Sequence, residues 1–218
     1  MKSNYLHKNN NDNCILFFNG WGMDECAVTH LNSNNYDIFM FNEYNALTSS
    51  SFSFTSYNNL FVVAWSLGVW VAGNYLSNNN LVVKKAIAIN GTMLPIDDTM
   101  GIANNIFTKT QQTWNERNRK KFDIRMFGGI KEYEALNARH SSRNIIDQKS
   151  ELEYLENEIT NNQIPSFNWN TAAIGDGDLI FTTANQQNYW QGKAKIVLMD
   201  MPHYPFKKFT QWSEIIEL

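Results

Sequence analysis

"FVVAWSLGVW", residues 61–70, decides the fold. Four apolar residues run into Trp65, Ser66, Leu67 and Gly68. The run before Ser66 predicts a buried strand, and the residues after it predict a helix over 67–77. A serine at such a junction stands where the chain must turn sharply. Nucleophilic serines at strand-to-helix turns have small flanking residues, in the pattern Gly-x-Ser-x-Gly, because bulky side chains there collide with the neighbouring strand and helix. The pattern here is Ala64-Trp65-Ser66-Leu67-Gly68, with Ala in the first glycine position. Alone, so short a motif equally describes a plain strand-helix junction.

Further apolar runs occur at 14–18, 36–40, 60–64, 85–90, 171–175 and 195–200. They are continuous rather than alternating, as expected of strands buried on both faces. Helical stretches are expected at 24–32, 67–77, 184–191 and 206–217. Alternating strands and helices predict an α/β fold, with a mostly parallel sheet of about six strands and flanking helices. Residues 93–168 interrupt the rhythm. They are polar, charged and studded with aromatics, with helical patches such as "GIKEYEALNARH". The division expected is a core of 1–92 and 169–218 with a helical lid insertion of 93–168.

The chain of 218 residues fits one domain, and 43% hydrophobic residues are enough for a core. A net charge of −3 gives no nucleic-acid signature. Cys14 and Cys26 make no disulfide framework, and without a Cys/His cluster no metal site is expected. "MKSNYLHKNNNDNC" has no apolar signal region, and no run is long enough to cross a membrane. A cytoplasmic protein is expected, without membrane or nucleic-acid partners.

Three features add to Ser66. "FFNGWGMD" (17–24) follows the first apolar run. Acyl transfer needs backbone N–H groups aimed at the developing oxyanion. Leu67, after the serine, and Trp21, in this glycine-containing loop, are the expected donors. "IGDGDLIF" (174–181) offers two acids, Asp176 and Asp178, to orient a base. "MDMPHYPF" (199–206) carries His203 after the last strand. His7 is in the polar N-terminus, His30 in an expected helix and His140 in the insertion, so only His203 reaches the strand ends. Each feature is ordinary alone, since Asn-Gly turns, Asp beside Gly and loop histidines abound. In the order Ser, Asp, His at successive strand ends, they match the chain order of a hydrolase triad, with His203 as the general base.

Together "NGWGMD", "WSLGVW", "AINGTMLPID", "IGDGDLIFTTANQQNYW" and "MPHYPF" resemble the BioG-type pimeloyl-acyl-carrier-protein methyl ester esterases, a compact branch of the α/β hydrolases. The resemblance covers most of the chain and is weakest in the insertion. The Trp-Ser-Leu-Gly elbow and Gly-Trp-Gly loop also resemble the BioH-type esterases. In these families the acid lies in a Gly-x-x-Asp-x-Ile/Val pattern. Gly175 and Asp178 match it, and Asp176 does not. The resemblance implies a triad of Ser66, Asp178 and His203, no cofactor, and a methyl-esterified pimeloyl chain on acyl carrier protein as substrate. Other expectations are a serine thioesterase or carboxylesterase on another acyl group, or an inactive hydrolase-fold binding module.

Trp21 and Trp65 flank the elbow, as walls of an acyl pocket or as simple packing. Between 108 and 145 there are nine Lys/Arg and four Asp/Glu, in a chain whose overall charge is negative. Such a run is often just a solvated face. Over an active site it would complement an acidic carrier. Arg117, Arg119, Lys120, Lys121, Arg125, Arg139 and Arg143 are therefore expected to dock the carrier.

Overall fold

The computed structural model describes residues 1–48 and 52–218. Seven strands form one sheet: β1 (Lys2–His7), β2 (Asn13–Phe18), β3 (Tyr36–Asn42), β4 (Asn59–Trp65), β5 (Val83–Ile89), β6 (Thr171–Gly175) and β7 (Lys195–Met199). Their order is β1-β3-β2-β4-β5-β6-β7, and every pairing is parallel except that of β1 with β3. The six expected strands are all present. β1 is a seventh, in the polar N-terminal segment, where no strand was expected. "KSNYLH" lacks an apolar run because an antiparallel edge strand needs only one face covered. Its Tyr5 ring packs edge-on against Phe39 at 4.8 Å.

The inner strands alternate between two buried layers. Cys14, Leu16 and Phe18 face one side, and Ile15 and Phe17 the other. The helices α1 (Gly68–Asn78) and α6 (Thr183–Trp190) cover the first side, burying Trp70 and Trp190. The short α7 (Trp212–Ile216) covers the second with Trp212 and Ile215. Burial of both faces is why β2, β4 and β5 read as unbroken apolar runs.

Two expected helices are much reduced. Over 24–32 only a single 3-10 turn forms, Glu25–Ala27. β-Branched Val28 and Thr29 disfavour its extension. Downstream the backbone is committed elsewhere: Asn32 N–H donates to the Thr210 carbonyl, and Trp212 N–H donates to the Asn32 carbonyl. The same pairing splits 206–217 into a 3-10 turn, Phe206–Lys208, and α7.

Between β5 and β6 lie α2 (Asn104–Gln112), α3 (Glu116–Met126), α4 (Ile130–Ala135) and α5 (Ile145–Asn161). The chain leaves β2 toward β3 on one side and returns to β4 on the other, so the loops after β2 and β4 meet where the strand order reverses. Open α/β sheets bind ligands at such a crevice, beyond the carboxyl ends of the strands. Among the described residues no helix is long and apolar enough to cross a membrane.

Candidate active site

Ser66 sits directly after β4 with φ of 59°, in the left-handed region that a side-chain-bearing residue occupies at a cost of about 1–3 kcal/mol. Its N–H is held by the Ile89 carbonyl at 3.0 Å. The tight turn presses α1 against the loop after β2. A Cβ on Gly68 would stand 2.4 Å from the Asn19 carbonyl oxygen, so no other residue fits there without a shift. Ala64 is tolerated because it lies within β4, fully buried between Phe18 of β2 and Ala88 of β5.

His203 Nε2 lies 3.0 Å from Ser66 Oγ, and His203 Nδ1 lies 2.9 Å from Asp178 Oδ2. With Asp178 as an acceptor-only carboxylate, Nδ1 carries the imidazole proton and Nε2 turns a lone pair toward the serine hydroxyl. Asp178 is anchored by its own loop: Oδ1 accepts from the N–H groups of Ile180 and Phe181 at 2.8 and 3.0 Å, and Oδ2 from Gln186 Nε2 at 3.0 Å. Asp176 is exposed, and its side chain makes no hydrogen bond among the described residues. Of the two acids, only Asp178 meets the imidazole.

Asn90, to which the sequence reading assigned no role, ties these strand ends together. At the end of β5, its Nδ2 donates to the carbonyls of Pro202 and His203, each at 2.9 Å, and its Oδ1 accepts from Gly175 N–H at 2.7 Å. Its φ of 47° in an Asn-Gly pair after a strand was the available signal. Trp65 does not wall an acyl pocket. It is fully buried, and its Nε1 donates to the His203 carbonyl at 2.8 Å. His30 and His140 bond main-chain carbonyls away from Ser66, at Phe206 and Tyr133.

Trp21 and Leu67 line one cavity with Ser66. Neither backbone N–H has a protein acceptor among the described residues. The Trp21 loop is clamped from α5. Gly22, at φ of 71°, donates its N–H to Glu151 Oε2 at 3.1 Å and accepts from Gln148 Nε2 at 2.9 Å. Trp21 Nε1 donates to the Gln148 carbonyl at 2.7 Å. Glu151 also accepts from Tyr44 N–H at 2.9 Å and pairs with Arg143. Burial raises its carboxyl pKa, opposed first by Arg143 and then by these donors.

The rest of the cavity is mostly apolar, with Ile102, Ile106, Phe107, Leu152 and Ile180 among its lining; Thr110 and Arg125 also line it, and no carboxylate does. Among the described residues no group of three His, Cys, Asp or Glu could hold a metal ion.

Comparison with known proteins follows the same lines. Residues 1–215 match the family described as pimeloyl-ACP methyl esterase BioG. The chain belongs to this family. A crystal structure of BioG from Haemophilus influenzae superposes with a TM-score of 0.92 at 34% identity, covering 99% of both chains. An enol-lactonase from Burkholderia xenovorans, at 11% identity, covers 93% of this chain and 89% of its own with a TM-score of 0.65, and shares the α/β-hydrolase fold. A malonyl-[acyl-carrier protein] O-methyltransferase of Bacteroides fragilis is 38% identical over 194 residues. Those cover 88% of this chain but only 40% of that longer relative. Membership of BioG and the hydrolase neighbours support a hydrolase.

The cations expected to dock a carrier fall into two groups. Arg143 is a correction. It is buried and paired with Glu151, out of reach of any docked protein. Arg119 is half-buried, donates to the carbonyls of Ser141 and Arg143, and lies 3.7 Å from Asp123. Arg139 bonds Thr29 Oγ1 at 2.6 Å. Arg117, Lys120, Lys121 and Arg125 are exposed on α3. The sequence shows charge but not partners, and partners separate the groups.

Proposed function

We propose that the protein is a serine esterase that removes the methyl group from a pimeloyl methyl ester carried on acyl carrier protein, with Ser66, His203 and Asp178 as its triad. The observation that carries this reading is the unbroken chain of hydrogen bonds from Asp178 through His203 to Ser66, opening on a mostly apolar cavity. BioG membership supports the substrate.

His203 Nε2 takes the Ser66 proton as Oγ attacks the ester carbonyl. The N–H groups of Trp21 and Leu67 stabilise the tetrahedral oxyanion. The bond to the methoxy oxygen breaks, and His203 returns the proton so that methanol leaves. Water then attacks the acyl-enzyme with the same base, releasing the free carboxylate. The apolar lining suits a methyl-capped chain. The helices of 93–168 act as a lid over the core of 1–92 and 169–218, and the exposed cations of α3 face an acidic carrier. The methyltransferase name of the longer Bacteroides relative is not carried over. An imidazole-activated serine has no part in methylating a carboxylate.

Mass-resolved turnover of pimeloyl methyl ester, free and carrier-linked, tests the reading. The wild type is expected to release methanol and the free acid, and to react with a fluorophosphonate at Ser66. Ser66→Ala is expected to lose about 10⁴-fold or more in kcat. Near-normal turnover by that variant would exclude the serine. Preferential cleavage of the thioester over the methyl ester would make the protein a thioesterase.

A further inference from the structure

Lys109, Lys121 and Arg125 make no hydrogen bond or ion pair through their charged heads among the described residues, unlike Arg119, Arg139 and Arg143. All three line a groove between α2 and α3. Helical spacing puts them there. Ile106, Lys109, Thr110 and Thr113 fall at i, i+3, i+4 and i+7 on α2 and just past its end, and Asn118, Lys121, Phe122 and Arg125 repeat that spacing on α3. The two stripes face each other, and no carboxylate lines the groove.

This groove is continuous with the cavity over Ser66. Ile106, Thr110, Phe122 and Arg125 line both. Trp114 in the groove packs on Trp21 of the cavity with ring centroids 4.5 Å apart, and Phe122 packs on both rings at about 5.5 Å. A ligand chain leaving Ser66 therefore passes an aromatic surface before meeting Lys109 and Lys121. On the way are neutral polar groups. The Thr110 and Thr113 hydroxyls donate to helix carbonyls at 2.8 and 2.7 Å, which leaves their lone pairs to accept from amide N–H groups. The cavity end is mostly apolar, Thr110 and Arg125 line both spaces, and Thr113, Lys109 and Lys121 line the groove but not the cavity.

We propose that this groove is a binding site for the phosphopantetheine arm of the acyl carrier, with its phosphodiester held by Lys109, Lys121 and Arg125. The inference rests on the esterase reading, because it threads the acyl chain from Ser66 outward. The arm has groups to suit this lining: a thioester, two amides and a phosphate. Two ammonium groups and a guanidinium free of carboxylates suit a phosphate, which they bind by charge-assisted hydrogen bonds.

The test uses two thioesters of pimeloyl methyl ester, one on 4′-phosphopantetheine and one on pantetheine without the phosphate. The wild type is expected to prefer the phosphorylated substrate by about tenfold or more in kcat/KM. In Lys109→Gln/Lys121→Gln that ratio should fall toward one, and in Lys121→Arg it should persist. A wild-type ratio near one, or a ratio that survives the double substitution, overturns the proposal. So does an equal loss from Arg117→Gln, whose charge lies on α3 outside the groove. Calorimetry of free 4′-phosphopantetheine and pantetheine on Ser66→Ala protein reads the same contrast without turnover. If the wild type hydrolyses no ester but phosphate-dependent binding persists and needs Lys109 and Lys121, the esterase reading fails and the groove stands. If methyl ester is hydrolysed with no phosphate preference in either assay, the groove fails alone. A coenzyme A thioester turned over better than the carrier-linked one would overturn the carrier as the source of the arm.

Discussion

Helices α3 and α5 belong to the same insertion and both carry many charged residues, yet they use charge in opposite ways. On the α5 side, Arg143 and Glu151 are buried against each other, and Glu151 grips the backbone of Gly22 and Tyr44. On α3, Arg117, Lys121 and Arg125 extend into solvent or line the groove, with no carboxylate partner among the described residues. The paired charges hold the Trp21 loop in place, whereas the unpaired ones are free for something outside the chain. The segment's net positive charge therefore overstates its docking capacity. A count of cations becomes informative only after those with internal partners are removed.

The largest effect should come from breaking the buried pair. Arg143→Met leaves Glu151 buried and uncompensated, and should cost about 3–5 kcal/mol of stability. Thermal unfolding checks this, with Arg117→Met on α3 as the contrast, expected within about 0.5 kcal/mol of wild type. Losing Arg143 pushes the already raised Glu151 pKa higher, so the variant's carboxyl holds its proton to higher pH. The destabilisation should accordingly be smaller at pH 5 than at pH 8. Adding Glu151→Leu should restore part of the loss. Equal losses from Arg143→Met and Arg117→Met would erase the distinction between the helices.

Next comes the clamp itself. Gln148→Leu removes the bond to the Gly22 carbonyl and leaves Trp114 Nε1 without its 3.3 Å acceptor. If α5 positions the Trp21 N–H for the oxyanion, kcat should fall about 10- to 100-fold while KM changes little. A rise in KM at constant kcat would instead make Gln148 part of the substrate pocket.

What the sequence could and could not disclose follows the same division. The strand ends were legible because burial on both faces leaves continuous apolar runs, and because β4, Ser66 and α1 must meet through small residues. The seventh strand was not, since an edge strand such as "KSNYLH" needs no such run. Local pattern favoured a helix at 24–32, and long-range pairing of Asn32 with the C-terminal segment prevailed. The residues alone left Asp176 and Asp178 open; the choice of Asp178 came from the resemblance, whose Gly-x-x-Asp pattern Gly175 and Asp178 match, and in the structure only Asp178 touches His203. Asn90 escaped notice because its three bonds run to residues 85 to 113 positions away. Arg143 was misjudged because nothing in a charge run marks its members as buried.

A smaller, pH-dependent effect separates the inner and outer faces of α3. Asp123 sits behind the exposed cations, where burial raises its pKa to about 6 despite Arg119. Between about pH 4 and 6 the unfolded chain ionises at this carboxyl before the folded one does, so stability falls as pH rises through that window and the loss is complete above it. Wild type relative to Asp123→Asn should therefore lose on the order of 1–3 kcal/mol from pH 4 to pH 7, read by denaturant unfolding at each pH. A flat difference would mean that Asp123 is solvated and that α3 has no buried charge to contrast with its surface.

The smallest effect belongs to the outermost charges. Arg117 and Lys120 are exposed, and among the described residues the one contact found for either charged head is the Lys120 ammonium 5.9 Å from the Tyr133 ring centroid. Single exposed charges contribute little to stability, typically under about 1 kcal/mol. They act at longer range on encounter with a charged partner. Arg117→Glu/Lys120→Glu should therefore leave the melting temperature within a few degrees of wild type. It should lower the ratio of kcat/KM on carrier-linked over free ester by about three- to tenfold at low salt. Because screening shortens the reach of exposed charges to about 8 Å near physiological ionic strength, the wild-type ratio should itself decline as salt is added, and the variant's should decline less. A ratio insensitive to both charge reversal and salt would mean that the outer face of α3 is merely solvated, leaving the groove residues as the cations of α3 available to a carrier.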